Sequence, residues 1–191
     1  MLSSGCRSII MVLGMGLMAC ASAAQAEAQA PMRPGFHAGS VITDFGPIAS
    51  VEGHSPIPAA STFSIAFDVS EPGKPGTMNR TIESAARFIN MHVEAGVARE
   101  AIRLAIVVHG QAAFDLTDAA TYAAKHNGAP NANLAAIATL HQHDVQFILC
   151  GQSAAALGIE RDTLAPGVQM SLSAMTAHAL LQQQGYTLNP F

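Results

Sequence analysis

No tryptophan occurs in this sequence, and aromatic residues make up only 5% of it. A core must therefore be filled by Ala, Leu, Ile and Val. Charge is scarce too: 12% of the residues are charged and the formal net charge is -4. With 9 Lys and Arg against 13 Asp and Glu there is no basic footprint, which argues against a nucleic-acid partner. The longest apolar run, residues 9–18, is too short to span a bilayer as a helix. No H-E-x-x-H, G-x-S-x-G or G-x-G-x-x-G pattern is present, and neither is an internal repeat or a heptad. The 191 residues suffice for one domain with a real core and hardly for two.

What is present begins with an address. Arg7 precedes the apolar run, small residues follow it, and Ala24-Gln25-Ala26 fits an A-x-A cleavage site with Glu27 as the new N-terminus. Residues 1–26 thus read as a signal peptide, and a periplasmic location is expected. The competing reading is lipoprotein processing at Leu17-Met18-Ala19-Cys20, where Met18 is an awkward residue. Cleavage of the signal peptide removes Cys6 and Cys20 and leaves Cys150 as the one thiol. That excludes an internal disulfide and a C-x-x-C dithiol cycle. In an oxidising compartment such a thiol is either buried and inert or reactive and used.

Residues 27–62 form an arm rich in Pro and Gly with no helical period. Its apolar pieces, Val41-Ile42 and Phe45-Gly46-Pro47-Ile48, could lie on the domain or on a neighbouring subunit; a flexible linker is the other reading. From residue 63 to 191 the pattern alternates. Strands are expected at 63–69, 103–109, 145–149 and 168–172, with a last one at 186–188. Helices are expected at 79–95, capped by Asn79 and stopped by Gly96, then at 118–126, 133–142, a short one ending near Gly158, and one from Ser173 to Gln184. The unbroken apolar run Leu104 to Val108 points to burial on both faces, as in a parallel sheet. Alternating strands and helices imply βαβ units and helices on both faces.

Ligands of open parallel sheets gather at the carboxyl ends of the strands. Those ends carry Asp68, His109-Gly110, Cys150-Gly151 and Ser173. Cys150 sits where an apolar strand empties into a helix start, and the unpaired N–H groups there favour a thiolate over a thiol. A nearby imidazolium from His109 would favour it further. The bland alternatives are a small hydrophobe at the rim of the core for Cys150 and a backbone-bonded strand-end histidine for His109. The loop Gly73-Lys74-Pro75-Gly76-Thr77 lacks Walker spacing, and Pro75 removes an N–H that a phosphate cradle needs. His141-Gln142-His143-Asp144 has no third ligand placed by spacing, so no metal site is expected.

In order and spacing, several pieces resemble the DsrE/DsrF-like family, specifically its exported single-domain members. They are Phe67-Asp68-Val69, Ala86-Arg87-Phe88-Ile89-Asn90, Val107-Val108-His109-Gly110-Gln111-Ala112, residues 145–151 with Gln152-Ser153, Pro166-Gly167-Val168, Leu172-Ser173-Ala174-Met175-Thr176 and Gln184-Gly185-Tyr186. The resemblance implies a three-layer α/β/α sandwich around a mainly parallel five-stranded sheet. It also implies a homo-oligomer, trimer or hexamer, and, in sulfur-carrier members, a persulfide on a cysteine placed like Cys150. Such a carrier uses no cofactor and exchanges sulfur with a donor and an acceptor protein. His109 as a helper follows from placement, not from the resemblance. Asp68, Gly110, Gly151 and Ser173 are candidates for a ligand pocket. Three functions stay open: a persulfide carrier or sulfurtransferase component, a non-catalytic binding or assembly protein with Cys150 structural, and a redox-responsive thiol that forms mixed disulfides.

Overall fold

This computed structural model describes residues 32–189. The signal peptide read from residues 1–26 lies outside them. Five strands form one sheet: β1 (Phe63–Val69), β2 (Ile102–Val108), β3 (Gln146–Cys150), β4 (Val168–Ser171) and β5 (Thr187–Asn189). Their order across the sheet is β4-β3-β2-β1-β5, and every pairing is parallel. The helices are α1 (Arg80–Glu94), α2 (Ala119–Lys125), α3 (Asn133–Gln142), α4 (Gly151–Leu157) and α5 (Ala174–Gln183). A 3-10 segment, Gly110–Leu116, follows β2. Strand periodicity did not reveal it.

Alternation along the strands divides the core in two. Phe67, Val69, Leu104, Ile106, Val108, Phe147 and Leu149 point to one face and meet Ile82, Ala86 and Ile89 of α1 and Ile137 and Leu140 of α3. Ala66, Ala105, Val107 and Ile148 point to the other and meet Ala177 and Leu181 of α5, with Tyr186. β2 from Leu104 to Val108 is buried on both sides, as its apolar run required. Asn79 caps α1 by accepting from the Thr81 N–H at 2.9 Å.

Two readings were open for the arm, and over its described part the structure puts it on the domain. Ile42 and Ile48 are buried, and Asn90, inside α1, fastens the arm. Its Oδ1 accepts from the Ile42 N–H at 2.9 Å, while Nδ2 donates to the Ile42 and Gly46 carbonyls at 2.9 and 3.1 Å. Arg87 Nε donates to the Pro47 carbonyl at 3.0 Å.

A second buried polar group shapes the loops on the α1–α3 face. Asp115 is 1% exposed. Its Oδ2 accepts from the Gly73 N–H at 2.9 Å and from Asn79 Nδ2 at 2.8 Å, so that Gly73 N–H serves the loop itself. Its Oδ1 has no hydrogen-bond partner. Burial pushes the Asp115 carboxyl above its ordinary pKa; the bonds from Gly73 and Asn79 only partly oppose this. A carboxyl with a raised folded pKa holds its proton in the native state where the unfolded chain has released it. The contribution of Asp115 to stability therefore falls as pH rises from the unfolded value, about 3.9, to the raised folded one, and is level above. Asp115→Asn keeps an acceptor for both donors, so its denaturation midpoint is expected to lose this slope. Urea unfolding of both proteins across that window checks it, and parallel pH profiles would count against the assignment.

Candidate functional site

Cys150 stands at the point where the sheet's connections diverge. β3 and β4 are neighbours, and Cys150 pairs in register with Ser171 at their carboxyl ends. From Cys150 the chain passes into α4, whose Ala154 belongs to the α1–α3 side of the core. From Ser171 it passes into α5, which covers the opposite face. Two strands whose following helices leave to opposite faces leave a crevice between their ends, where open α/β sheets bind ligands.

The two turns approach closely at this point. A Cβ on Gly151 would lie 2.6 Å from the Ser171 carbonyl oxygen and 3.2 Å from that of Leu172, so the approach requires glycine. Ser173 caps α5, its Oγ accepting from the Thr176 N–H at 3.0 Å. That cap sets the first turn so that the Ala174 N–H faces the Cys150 sulfur. The N–H groups of Ser153 and Gln152 and the Ser153 hydroxyl face it from α4. Cys150 makes no capping bond of the kind Asn79 gives α1; the sulfur instead takes hydrogen bonding from the Ser153 hydroxyl and these N–H groups. Burial disfavours the thiolate, but the Ser153 hydroxyl and the three N–H groups together outweigh it and hold the thiol pKa below its ordinary value. The residue is 5% exposed.

Ser153 also joins this sulfur to the end of β2. The Gly110 N–H donates to Ser153 Oγ at 3.0 Å, and Gly110 adopts φ +58, a left-handed conformation suited to glycine. His109 lies one step beyond the Val108–Leu149 pair, level with Cys150. Its ring, however, is joined to Asp68: Nε2 lies 3.2 Å from Asp68 Oδ2. The other Asp68 oxygen, Oδ1, lies 2.8 Å from His178 Nε2, reached from α5. Burial raises the Asp68 carboxyl, yet the hydrogen bonds and charges of His178 and His109 overcome it and hold its pKa below the ordinary value. Thus one carboxylate clamps two imidazoles at the carboxyl ends of β1 and β2, the strand next to β3. Among the described residues no cluster of three His, Cys, Asp or Glu side chains is arranged to hold a metal ion.

Residues 63–190 match the DsrE/DsrF-like family. The chain belongs to that family. Among curated proteins nothing matches. Of solved structures, the protein of unknown function MTH1491 from Methanobacterium thermoautotrophicum is similar at 16% identity and a TM-score of 0.50; the likeness covers 68% of this chain and 99% of that one. At that identity it bears on the fold alone, an α/β sandwich about a parallel sheet.

In this DsrE/DsrF-like chain the topology brings Asp68, His109, Gly110, Cys150, Gly151 and Ser173 to one edge of the sheet. Two participants escaped the sequence reading. His178 lies on a helix whose apolar positions, Ala177 and Leu181, gave no cue to its neighbour's task. Ser153 was visible only as part of a motif. A histidine in a helix that starts at a strand's carboxyl end is the signal that would have singled out His178. No helix among the described residues is long and apolar enough to cross a membrane.

Proposed function

We propose that this protein carries sulfane sulfur on Cys150 as a component of a sulfur relay. The observation that supports it is the set of donors around one sulfur: the Ser153 hydroxyl and the N–H groups of Gln152, Ser153 and Ala174, which favour an anion there. The thiolate attacks the outer sulfur of a donor persulfide R–S–SH. A new S–S bond forms at Cys150, the donor's S–S bond breaks, and R–S⁻ departs while the proton stays on the transferred sulfur. That proton then passes to R–S⁻, which leaves as R–SH, and the same donors hold the persulfide anion Cys150–S–S⁻. Asp68, His109 and His178 supply the proton traffic of the leaving thiolate. Leu172 and Met175, 73% and 80% exposed at the entry to α5, offer a partner protein an apolar surface beside the thiol. Residence in the periplasm, read from residues 1–26, and a homo-oligomer belong to the same proposal.

The test is an intact mass of the mature protein after incubation with thiosulfate or polysulfide. Wild type is expected to gain the mass of sulfur, removable by a reductant, and Cys150→Ser to gain none. Equal gain in both, or none in either, ends the proposal. A second reading draws on the 5% exposure of Cys150: the thiol is inert packing and the crevice binds a ligand or partner. It predicts a native thiol that resists alkylation at every pH.

A further inference from the structure

We propose a second site, separate from the cysteine: the groove between the arm and the last turn of α1 binds a small organic cation, a primary ammonium on a short apolar tail. The groove holds about 380 Å³ and is lined by arm residues between Ile48 and Ile57 and by Met91, His92, Glu94 and Ala95 at the C-terminal end of α1. That volume suits a small ligand. Its walls are mainly apolar, and Val51 and Met91, 64% and 41% exposed, stand at its rim. Two large apolar side chains left open at one mouth are what an apolar tail would cover.

The polar lining is of one kind. Glu52 and Glu94 contribute carboxylates, and no Lys or Arg lines the groove. His92 Nδ1 lies 2.7 Å from the Phe88 carbonyl and His54 Nδ1 lies 2.9 Å from the Ser55 carbonyl. A ring nitrogen facing a carbonyl donates its proton there, which leaves Nε2 as the ring's other hydrogen-bonding atom. The Ser50 hydroxyl already donates to Glu94 Oε1 at 3.2 Å, where His37 Nε2 also approaches to 3.5 Å. The carbonyl end of the 15-residue α1 adds negative partial charge. An opening with apolar walls, two carboxylates and no Lys or Arg in its lining is complementary to a charged hydrogen-bond donor. The arm's half of the groove precedes residue 63, so the match to the DsrE/DsrF-like family does not account for it. The inference stands apart from the chemistry of Cys150.

Hexylammonium, hexanol and hexanoate share a tail and differ in the head group. Titrated into the mature protein carrying labelled methionine methyls, hexylammonium is expected to saturate and to shift the Met91 signal. Hexanol and hexanoate are expected to leave it in place. Glu52→Lys, an exposed substitution, is expected to weaken hexylammonium on the order of tenfold, and Cys150→Ser to leave it unchanged. Hexanol binding as tightly as hexylammonium, a preference for hexanoate, or a Met91 signal that does not move would each overturn the proposal.

Discussion

Alkylation of native Cys150 is expected to titrate with a midpoint below the free-thiol value of about 8.5, and Ser153→Ala is expected to raise that midpoint by about one pH unit. The hydroxyl is the strongest of the donors that favour the thiolate, and removing it also leaves the Gly110 N–H without its acceptor. One unit corresponds to about 1.4 kcal/mol, within reach of a hydrogen bond to a charged group. The rates separate this from a packing effect. Well below the midpoint the thiolate fraction falls about tenfold, while the more basic thiolate is intrinsically about threefold more nucleophilic. The neutral-pH rate therefore drops about threefold, and the plateau at high pH rises by a similar factor. A merely loosened site would speed both. Iodoacetamide kinetics from neutral to alkaline pH measure all three quantities; a profile in Ser153→Ala that overlays wild type would remove Ser153 from the account.

Asn90→Ala is expected to release the arm and lower stability by about 2–4 kcal/mol. The side chain serves three backbone groups at once, the Ile42 N–H and the carbonyls of Ile42 and Gly46. Alanine would leave all three buried and unpaired, each costing about 1–3 kcal/mol if nothing moved. The arm can instead lift off into water, which caps the loss at the burial of Ile42 and Ile48, about 1.5–3 kcal/mol apiece, less the chain entropy regained. Gly39 gives an independent route to the same state: a Cβ there would lie 2.0 Å from Asn90 Cγ. Gly39→Ala and Asn90→Ala should therefore resemble each other, with a thermal midpoint lower by about 5–10 °C and new protease cleavage between residues 32 and 62. The sheet should persist by circular dichroism. An arm that stays protease-resistant in both variants would show that other contacts hold it. Because the arm forms one wall of the proposed cation groove, the same variants should also lose hexylammonium binding.

Much of the fold was legible in the residues because strand and helix periods are local properties. The apolar run at Leu104 to Val108 announced a doubly buried strand, and Asn79, Ser173 and Gly158 marked helix ends at which the structure indeed begins α1 and α5 and ends α4. The 3-10 segment at Gly110–Leu116 was not legible. Such a segment has no period long enough to see, and its core member Asp115 is held by Gly73 and Asn79, more than thirty residues away. Asn90 was quoted only within a motif, since nothing in a helix tells which loop will need its amide.

From its residues alone this protein was committed to a parallel α/β architecture with a thiol, Cys150, where a strand becomes a helix. Those are short-range facts of pattern and of position along the chain. Only the folded chain decided that α4 and α5 leave to opposite faces, so that donors from two helix starts converge on Cys150. Only it decided that Asp68 clamps His109 and His178 together, across 41 and 110 residues of sequence. Side chains so far apart are brought within hydrogen-bond reach by the register of the sheet and the handedness of its crossovers, and no window along the sequence contains either.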